Sequence, residues 1–137
     1  MRIMALDLGS KRIGVAITDE SGQIALPLVT LDQDRKWSDR LRRIHRLATQ
    51  HNIEQFVVGL PVQMDGVEGE AAQNARRFGE RLAARTSVPV DFIDERLTSV
   101  EAESILVETG VPRERRREII DQTAAVLILQ SWMLRKP

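Results

Sequence analysis

The chain begins with short apolar runs separated by turns that contain glycine. The runs span residues 2–8, 12–19 and 23–31, a length typical of β-strands. Pro27 favours an edge position for the third strand, because proline has no N–H group to donate to a neighbouring strand. The pattern therefore predicts an antiparallel meander of three strands.

The rest of the chain alternates between helical and strand-like patterns. Helices are predicted over about 36–51, 70–86, 98–109 and 121–134, and strands at 54–60 and 90–94. Thr98 and Glu101 have the spacing of a capping box at the start of the third helix. The element order β-β-β-α-β-α-β-α-α indicates an α/β fold, in which helices cover both faces of one mixed five-stranded sheet.

Length and composition narrow the class of protein. The chain has 137 residues, 42% of them hydrophobic, which predicts a single domain over residues 1–137 with its own core. The absence of cysteine excludes disulfides and thiolate metal sites. No apolar run approaches the roughly 20 residues of a membrane span, and Asp7 and Lys11 interrupt any signal-peptide layout. We therefore expect a cytoplasmic protein.

Charge is balanced overall but uneven along the chain. The 20 basic residues equal the 20 acidic ones, whereas segments 35–46 and 113–117 are rich in arginine. Two interpretations stay open for these segments: solvated helix faces, or surfaces that contact phosphates. Trp37 lies in the first of them on the apolar side of a helix, which favours a core position over a surface on which bases stack.

Asp7 stands within an apolar strand. Alternation along the strand puts it on the same face as Ile3 and Ala5. An ionised carboxylate in apolar surroundings is costly unless it is paired or binds a metal ion. The alternative is an aspartate at a strand end that hydrogen-bonds the turn through Gly9.

Two more acids stand at the ends of predicted elements. Glu95 follows the strand at 90–94, and ligands of open α/β sheets gather beyond the carboxyl ends of strands. The alternative is a solvated loop acid beside Arg96. Asp121 begins the predicted last helix, where aspartate is also a favoured N-cap.

The three acids together suggest a metal centre. Two carboxylates about 4 Å apart repel by about 4 kcal/mol at an effective dielectric constant near 20. Mg²⁺ or Mn²⁺ would offset that repulsion, because these ions prefer oxygen ligands. Two such ions can hold the attacking and leaving oxygens of a phosphodiester. The sequence therefore predicts a site for phosphodiester hydrolysis, if the acids converge.

Four segments resemble one known family over essentially the whole chain. They are DLGSKRIGVA at 7–16, GLP with DG and a further glycine within 59–69, DERLTS at 94–99, and DQTAA at 121–125. In this order they resemble the YqgF family, also called RuvX. Its members are described as pre-16S rRNA nucleases and are related to RuvC-type Holliday junction resolvases.

The resemblance implies an RNase H-like fold and a divalent-metal-dependent nuclease, a hydrolase of ester bonds. It implies that Asp7, Glu95 and Asp121 are the catalytic, metal-binding acids. Five basic residues are expected to contact nucleic-acid phosphates: Lys11, Arg12, Arg96, Arg116 and Arg117.

Two positions depart from the family pattern. Gln63 stands where members often have asparagine, and Ile119 stands where they often have a basic residue, a role that Arg116 and Arg117 would take over.

Four functions remain open at this point. The resemblance favours maturation of the 5′ end of pre-16S rRNA, with ribosomal precursor particles as partners. Resolution of branched DNA would use the same acids in a homodimer, whereas the first function also suits a monomer. A non-enzymatic nucleic-acid-binding assembly or transcription factor would keep the acids for structure only. A sugar-kinase-like ATPase is the fourth, because Asp-Leu-Gly before a hairpin resembles the phosphate loop of those enzymes.

Overall fold

The computed structural model describes residues 1–9, 11–32, 36–94 and 113–135, with side chains in the last range from residue 123 onward. The strands are β1 (Ile3–Leu8), β2 (Arg12–Thr18), β3 (Ala25–Asp32), β4 (Gln55–Leu60) and β5 (Val90–Asp94). The helices are α1 (Trp37–Gln50), α2 (Glu70–Thr86) and α3 (Arg113–Arg135).

Within these residues the strands form one mixed sheet in the order β3-β2-β1-β4-β5. The first three strands pair antiparallel, while β1, β4 and β5 run parallel. The carboxyl ends of these three parallel strands therefore meet at one edge of the sheet. The predicted five-stranded layout and its opening meander are confirmed.

Strand β3 lies at the edge of the sheet, as its proline predicts. Val15 pairs with Val29, but the next residue, Ala16, pairs with Pro27. Leu28 is therefore an extra residue, and β3 bulges beside the proline. A bulge here interrupts the edge ladder at the residue that has no N–H group to donate.

The two faces of the sheet carry separate layers of core. Met4 and Leu6 of β1 pack with residues of α1 and α2, including Ile44 and Phe78. Ile3 and Ala5 pack on the opposite face with residues of α3: Ala125, Ile128, Leu129 and Trp132. Alternate residues of one central strand thus serve both layers, and the prediction of helices on both faces is confirmed.

The last helix is longer than predicted. It begins at Arg113, eight residues before the expected start at 121. Its first eight residues have the sequence RERRREII. Arginine, glutamate and isoleucine are compatible with a helix, but the first six residues are all charged and show no apolar repeat that would predict one. Asp121 therefore lies about two turns inside α3, and its interpretation as an N-cap is wrong.

The predicted helix at 98–109, with its Thr98–Glu101 capping box, lies outside the described residues. Across the described part of the chain, none of the helices combines the length and apolar character that crossing a membrane requires.

Candidate active site

Asp7 is half-buried near the carboxyl end of β1. Its partner in the neighbouring strand β2 is Gly14, which has no side chain to crowd the carboxylate. The following turn is closed by the N–H of Gly9, which donates to the carbonyl oxygens of Asp7 at 3.1 Å and Arg12 at 2.9 Å. A Cβ atom on Gly9 would lie 2.9 Å from that Arg12 oxygen, so this close turn needs glycine.

Parallel pairing brings a second acid to the same edge of the sheet. Asp94 is the last residue of β5 and pairs with Leu60, the last residue of β4. Since β4 separates β1 from β5, the strands of Asp7 and Asp94 lie about 10 Å apart. Glu95 follows Asp94 directly in the sequence and lies outside the described residues, as does Arg96.

The third predicted acid lies on α3, which packs on the face of β1 to which alternation assigns Asp7. Ala125 of α3 is fully buried against β1, together with Ile3 and Ala5. Position 121 precedes Ala125 by four residues, which is one helical turn. Arg116 and Arg117 lie near the start of α3. The side chains of Asp121, Arg116 and Arg117 are not among those that the structure describes.

No three acidic or histidine side chains among the described ones could together hold a metal ion. The described side chains include that of Asp7 but not those of Glu95 and Asp121. Convergence of the three acids therefore stays a prediction. Of the predicted phosphate contacts, Lys11 and Arg12 lie exposed in the turn beside Asp7 and at the start of β2.

A pocket of about 400 Å³ opens beside Asp7, and sequence reasoning missed it. One wall is formed by residues 7–9 together with Pro61. The opposite wall belongs to the helices and contains Trp37, Arg40 and Phe78. The Trp37 and Phe78 rings meet edge to face, with their centroids 5.8 Å apart. Trp37 does contact the core as predicted, but it also lines this pocket.

The helix layer around the pocket is strongly basic. Helices α1 and α2 contain eight arginines but only three acids, so they carry a net charge of +5 on a neutral protein. The guanidinium of Arg81 lies 4.9 Å from the centre of the Trp37 ring, and that of Arg40 lies 6.0 Å from it. Partial burial lowers the pKa of Arg40, although arginine stays charged at neutral pH. The arginines of α1 form a dense segment that is visible in the sequence, whereas those of α2 are spread along the helix and form no such segment.

The loop between β4 and α2 is held in place by an ion pair. Arg76 donates from Nε and Nη2 to the two carboxylate oxygens of Glu68, at 2.6 and 2.7 Å. These bonds lower the pKa of Glu68 and raise that of Arg76. Gly66 has a φ of +88°, a conformation that favours glycine. The backbone carbonyl of Gln63 closes this tight loop by accepting from the N–H of Gly66 at 2.8 Å.

A sequence model of the RuvX family, described as Holliday junction resolvase, matches residues 1–135. This chain belongs to the RuvX family. A curated relative from Lactobacillus gasseri, named "Putative pre-16S rRNA nuclease", is 47% identical over 136 residues. That match covers 97% of this chain and 95% of the relative. The resemblance inferred from the four motifs is confirmed.

Two solved structures share the fold of this RuvX-family chain. Thermus thermophilus RuvC in complex with a Holliday junction substrate has a TM-score of 0.54 at 16% identity, and the match covers 97% of this chain and 96% of RuvC. The large terminase nuclease from thermophilic phage G20c has a TM-score of 0.55 at 12% identity, covering 96% and 81%. These likenesses concern the fold alone, and they confirm the RNase H-like architecture.

Proposed function

We propose that this RuvX-family chain is a divalent-metal-dependent nuclease that hydrolyses phosphodiester bonds of structured RNA and matures the 5′ end of pre-16S rRNA. The observation that carries the proposal is the match to the RuvX family and its curated relative over almost the whole chain. The non-enzymatic and kinase-like alternatives have no comparable support.

The proposed catalytic residues are Asp7, Glu95 and Asp121. Asp7 suits a cation site, because it is a half-buried oxygen donor at the sheet edge where β4 and β5 also end. Position 121 lies on α3, which packs on the face of β1 to which alternation assigns Asp7. Mg²⁺ or Mn²⁺, two ions in our proposal, would stabilise negative charge on the phosphate when bound.

The basic residues beside the acids would position the substrate. Lys11 and Arg12 are exposed next to Asp7, where they can bind phosphates of the strand. Arg96 follows Glu95 in the sequence, and Arg116 and Arg117 precede Asp121 on α3. We propose that these five side chains hold the backbone of the substrate across the acids.

Substitution of a proposed ligand tests this function. Asp7→Asn keeps the size of the side chain and removes its charge. We expect cleavage of a labelled pre-16S rRNA fragment in Mn²⁺ or Mg²⁺ to fall by more than about 100-fold, since losing even an outer partner of a metal ligand costs 10- to 100-fold. Asp121→Asn should behave in the same way.

Glu54→Gln is the matched control. Glu54 is exposed and precedes β4 at the opposite edge of the sheet, so this variant should cleave like the wild type. Full cleavage by Asp7→Asn would refute the proposed role of the acid.

Cleavage of four-way DNA junctions is a second candidate, favoured by the description of the family model as Holliday junction resolvase. The same proteins should therefore be assayed in parallel on a labelled junction. Cutting of the junction alone would replace the RNA substrate with branched DNA. A symmetric resolvase also needs two active sites, so a protein that stays monomeric while it cuts RNA supports the first candidate.

A further inference from the structure

The pocket beside Asp7, called the Trp37 pocket below, has no role in the proposed chemistry. Its volume of about 400 Å³ lies within the roughly 300–1,000 Å³ of small-ligand sites. It lies between the carboxyl end of β1 and the two helices that cover one face of the sheet. Asp7 lines the pocket at the end of β1, whereas alternation assigns its side chain to the opposite face, on which α3 packs. A strand held at Asp7 would therefore pass around the end of β1 to place a base in the pocket.

The pocket owes its space to small residues on α2. Ala71, Asn74, Ala75 and Phe78 line it and follow each other at helical spacing, so they form one stripe along α2. Two alanines in that stripe leave room in front of Trp37. Trp37 and Arg40 both line this space, so a base that entered it would contact an indole ring and a guanidinium, two groups that commonly bind bases.

Asn74 adds a group that can recognise the edge of a base. Its Oδ1 accepts a hydrogen bond from Nη1 of Arg77 at 2.9 Å. This bond orients the amide so that its NH₂ group is the donor for a further partner. Carbonyl oxygens and ring nitrogens of bases are acceptors of that kind.

Charge around the pocket complements a nucleic-acid strand. Arg40 lines the pocket, Arg81 lies over the Trp37 ring, and Arg77 is held at Asn74. A base that enters the pocket stays linked to phosphates on both sides, and these arginines would lie beside them. Aromatic walls with a basic rim suit a nucleotide better than an uncharged apolar ligand.

We infer that the Trp37 pocket binds one unstacked base of the substrate strand, at the end of β1 that carries Asp7. The inference rests on the proposed nuclease function for the identity of the strand. It requires that cleavage sites carry an unpaired nucleotide next to the scissile phosphate, because extruding a paired base costs free energy. Fully paired sites should therefore be cut more slowly.

Tryptophan fluorescence tests base binding directly. The chain has two tryptophans, so Trp132→Phe leaves Trp37 as the only one. Trp132 lies on the opposite face of the sheet, in the layer formed with α3. The variant is titrated in EDTA, where no cleavage occurs, with a single-stranded RNA octamer and with an abasic strand of the same length. The octamer should quench the Trp37 emission, and the abasic strand should leave it nearly unchanged.

A variant that fills the pocket provides an independent measurement. Ala71 is exposed on α2 and lines the pocket, so Ala71→Phe should occupy the space intended for the base. Its affinity for the octamer should fall by about 5- to 150-fold, the loss expected for one base–aromatic contact. Ala84→Phe places the same ring at an exposed position of α2 away from the pocket and should bind like the wild type. Circular dichroism checks that both phenylalanine variants fold. A third variant, Asn74→Ala, removes the amide that lines the pocket without adding volume, and it should also bind the octamer more weakly.

The outcomes separate this inference from the proposed function. Equal quenching by both strands, or unchanged affinity in Ala71→Phe and Asn74→Ala, overturns the base pocket whatever the cleavage assays show. Base-dependent quenching supports it, even if Asp7→Asn retains cleavage and the proposed catalytic role of Asp7 fails. Slower cleavage of a fully paired site than of the same site with one unpaired nucleotide would link the pocket to the reaction.

Discussion

Asp7 is a charged residue on an otherwise buried, apolar face of a central strand. Two other residues on its face of β1, Ile3 and Ala5, are 5% and 0% exposed, yet Asp7 follows them as a half-buried carboxylate. Apolar surroundings penalise an ionised carboxylate unless hydrogen bonds or a cation stabilise it. Position at the strand end explains how the protein tolerates the acid, and the adjacent turn of Gly9 brings basic residues next to it.

Asp19 shows how a single carboxylate stabilises a turn. Its side chain accepts hydrogen bonds from the Ser21 hydroxyl at 2.8 and 2.9 Å and from the N–H groups of Gln23 and Ile24, both at 3.1 Å. These bonds lower the pKa of Asp19 below its ordinary value of 3.8. The turn between β2 and β3 is therefore more stable when Asp19 is ionised.

The pH dependence of stability tests this role of Asp19. Because the folded pKa is depressed, the contribution of Asp19 is present above its ordinary pKa and is lost as pH falls through the folded value. Asp19→Ala should therefore be less stable than the wild type at neutral pH, and the difference should shrink below about pH 4. Urea denaturation at several pH values measures it. A difference that stays constant down to pH 2 would contradict the prediction.

At the scale of elements, the close packing of α2 on β5 depends on one glycine. A Cβ atom on Gly79 would lie 2.6 and 2.7 Å from two ring atoms of Phe92. The Arg76 guanidinium also lies over that ring, 5.2 Å from its centre. The half-buried ring thus contacts both α2 and this guanidinium, and it cannot move away from Gly79 without losing those contacts.

Gly79→Ala should consequently destabilise the protein, by about 1–3 kcal/mol as for other overpacked sites. Helix propensity alone predicts the opposite sign, since alanine is favoured over glycine by about 1 kcal/mol. Urea denaturation decides between the two. Adding Phe92→Leu to Gly79→Ala should recover part of the loss, whereas an exposed change on the same helix, Ala84→Ser, should shift stability by less than about 0.5 kcal/mol. A stabilised Gly79→Ala protein would show that α2 adjusts freely.

At the scale of the whole molecule, zero net charge conceals a polarised surface. Helices α1 and α2 carry +5, so the remainder of the chain carries the balancing negative charge. The basic layer covers the face on which the Trp37 pocket opens. A nucleic-acid strand would be attracted locally by this layer, although the zero net charge of the whole protein supplies no long-range attraction.

Salt dependence tests this polarity. Binding of single-stranded RNA should weaken with salt, with a slope in log K against log salt of about −0.7 for each phosphate contacted. Arg77→Gln combined with Arg81→Gln removes two exposed charges of α2 and should reduce the slope by up to about 1.4. Arg135→Gln, at the exposed end of α3, should leave it unchanged. An identical slope in all three proteins would place the binding surface elsewhere.

Local sequence patterns predicted most of the elements, because periods of two and 3.6 residues are written in neighbouring positions. The bounds of α2 and β5 agree with the prediction, and Pro27 correctly marked an edge strand. The start of α3 was missed because its first turns are charged, so no apolar period marks them. Helix formation there depends on residue propensity and continuity with the buried turns that follow.

The amino-acid sequence by itself determined the family, since the DLG, DERLTS and DQTAA motifs follow one another in the order of that family and contain the three proposed acids. It also determined the alternation that puts Asp7 on one face of β1. The Trp37 pocket was decided only by the tertiary structure, because residues 7–9, Trp37 and the stripe of α2 are distant in sequence. Parallel pairing of β1, β4 and β5 brings their carboxyl ends to one edge, and crossover helices then cover one face. Such long-range packing, and not any local period, creates the cavity beside the acid.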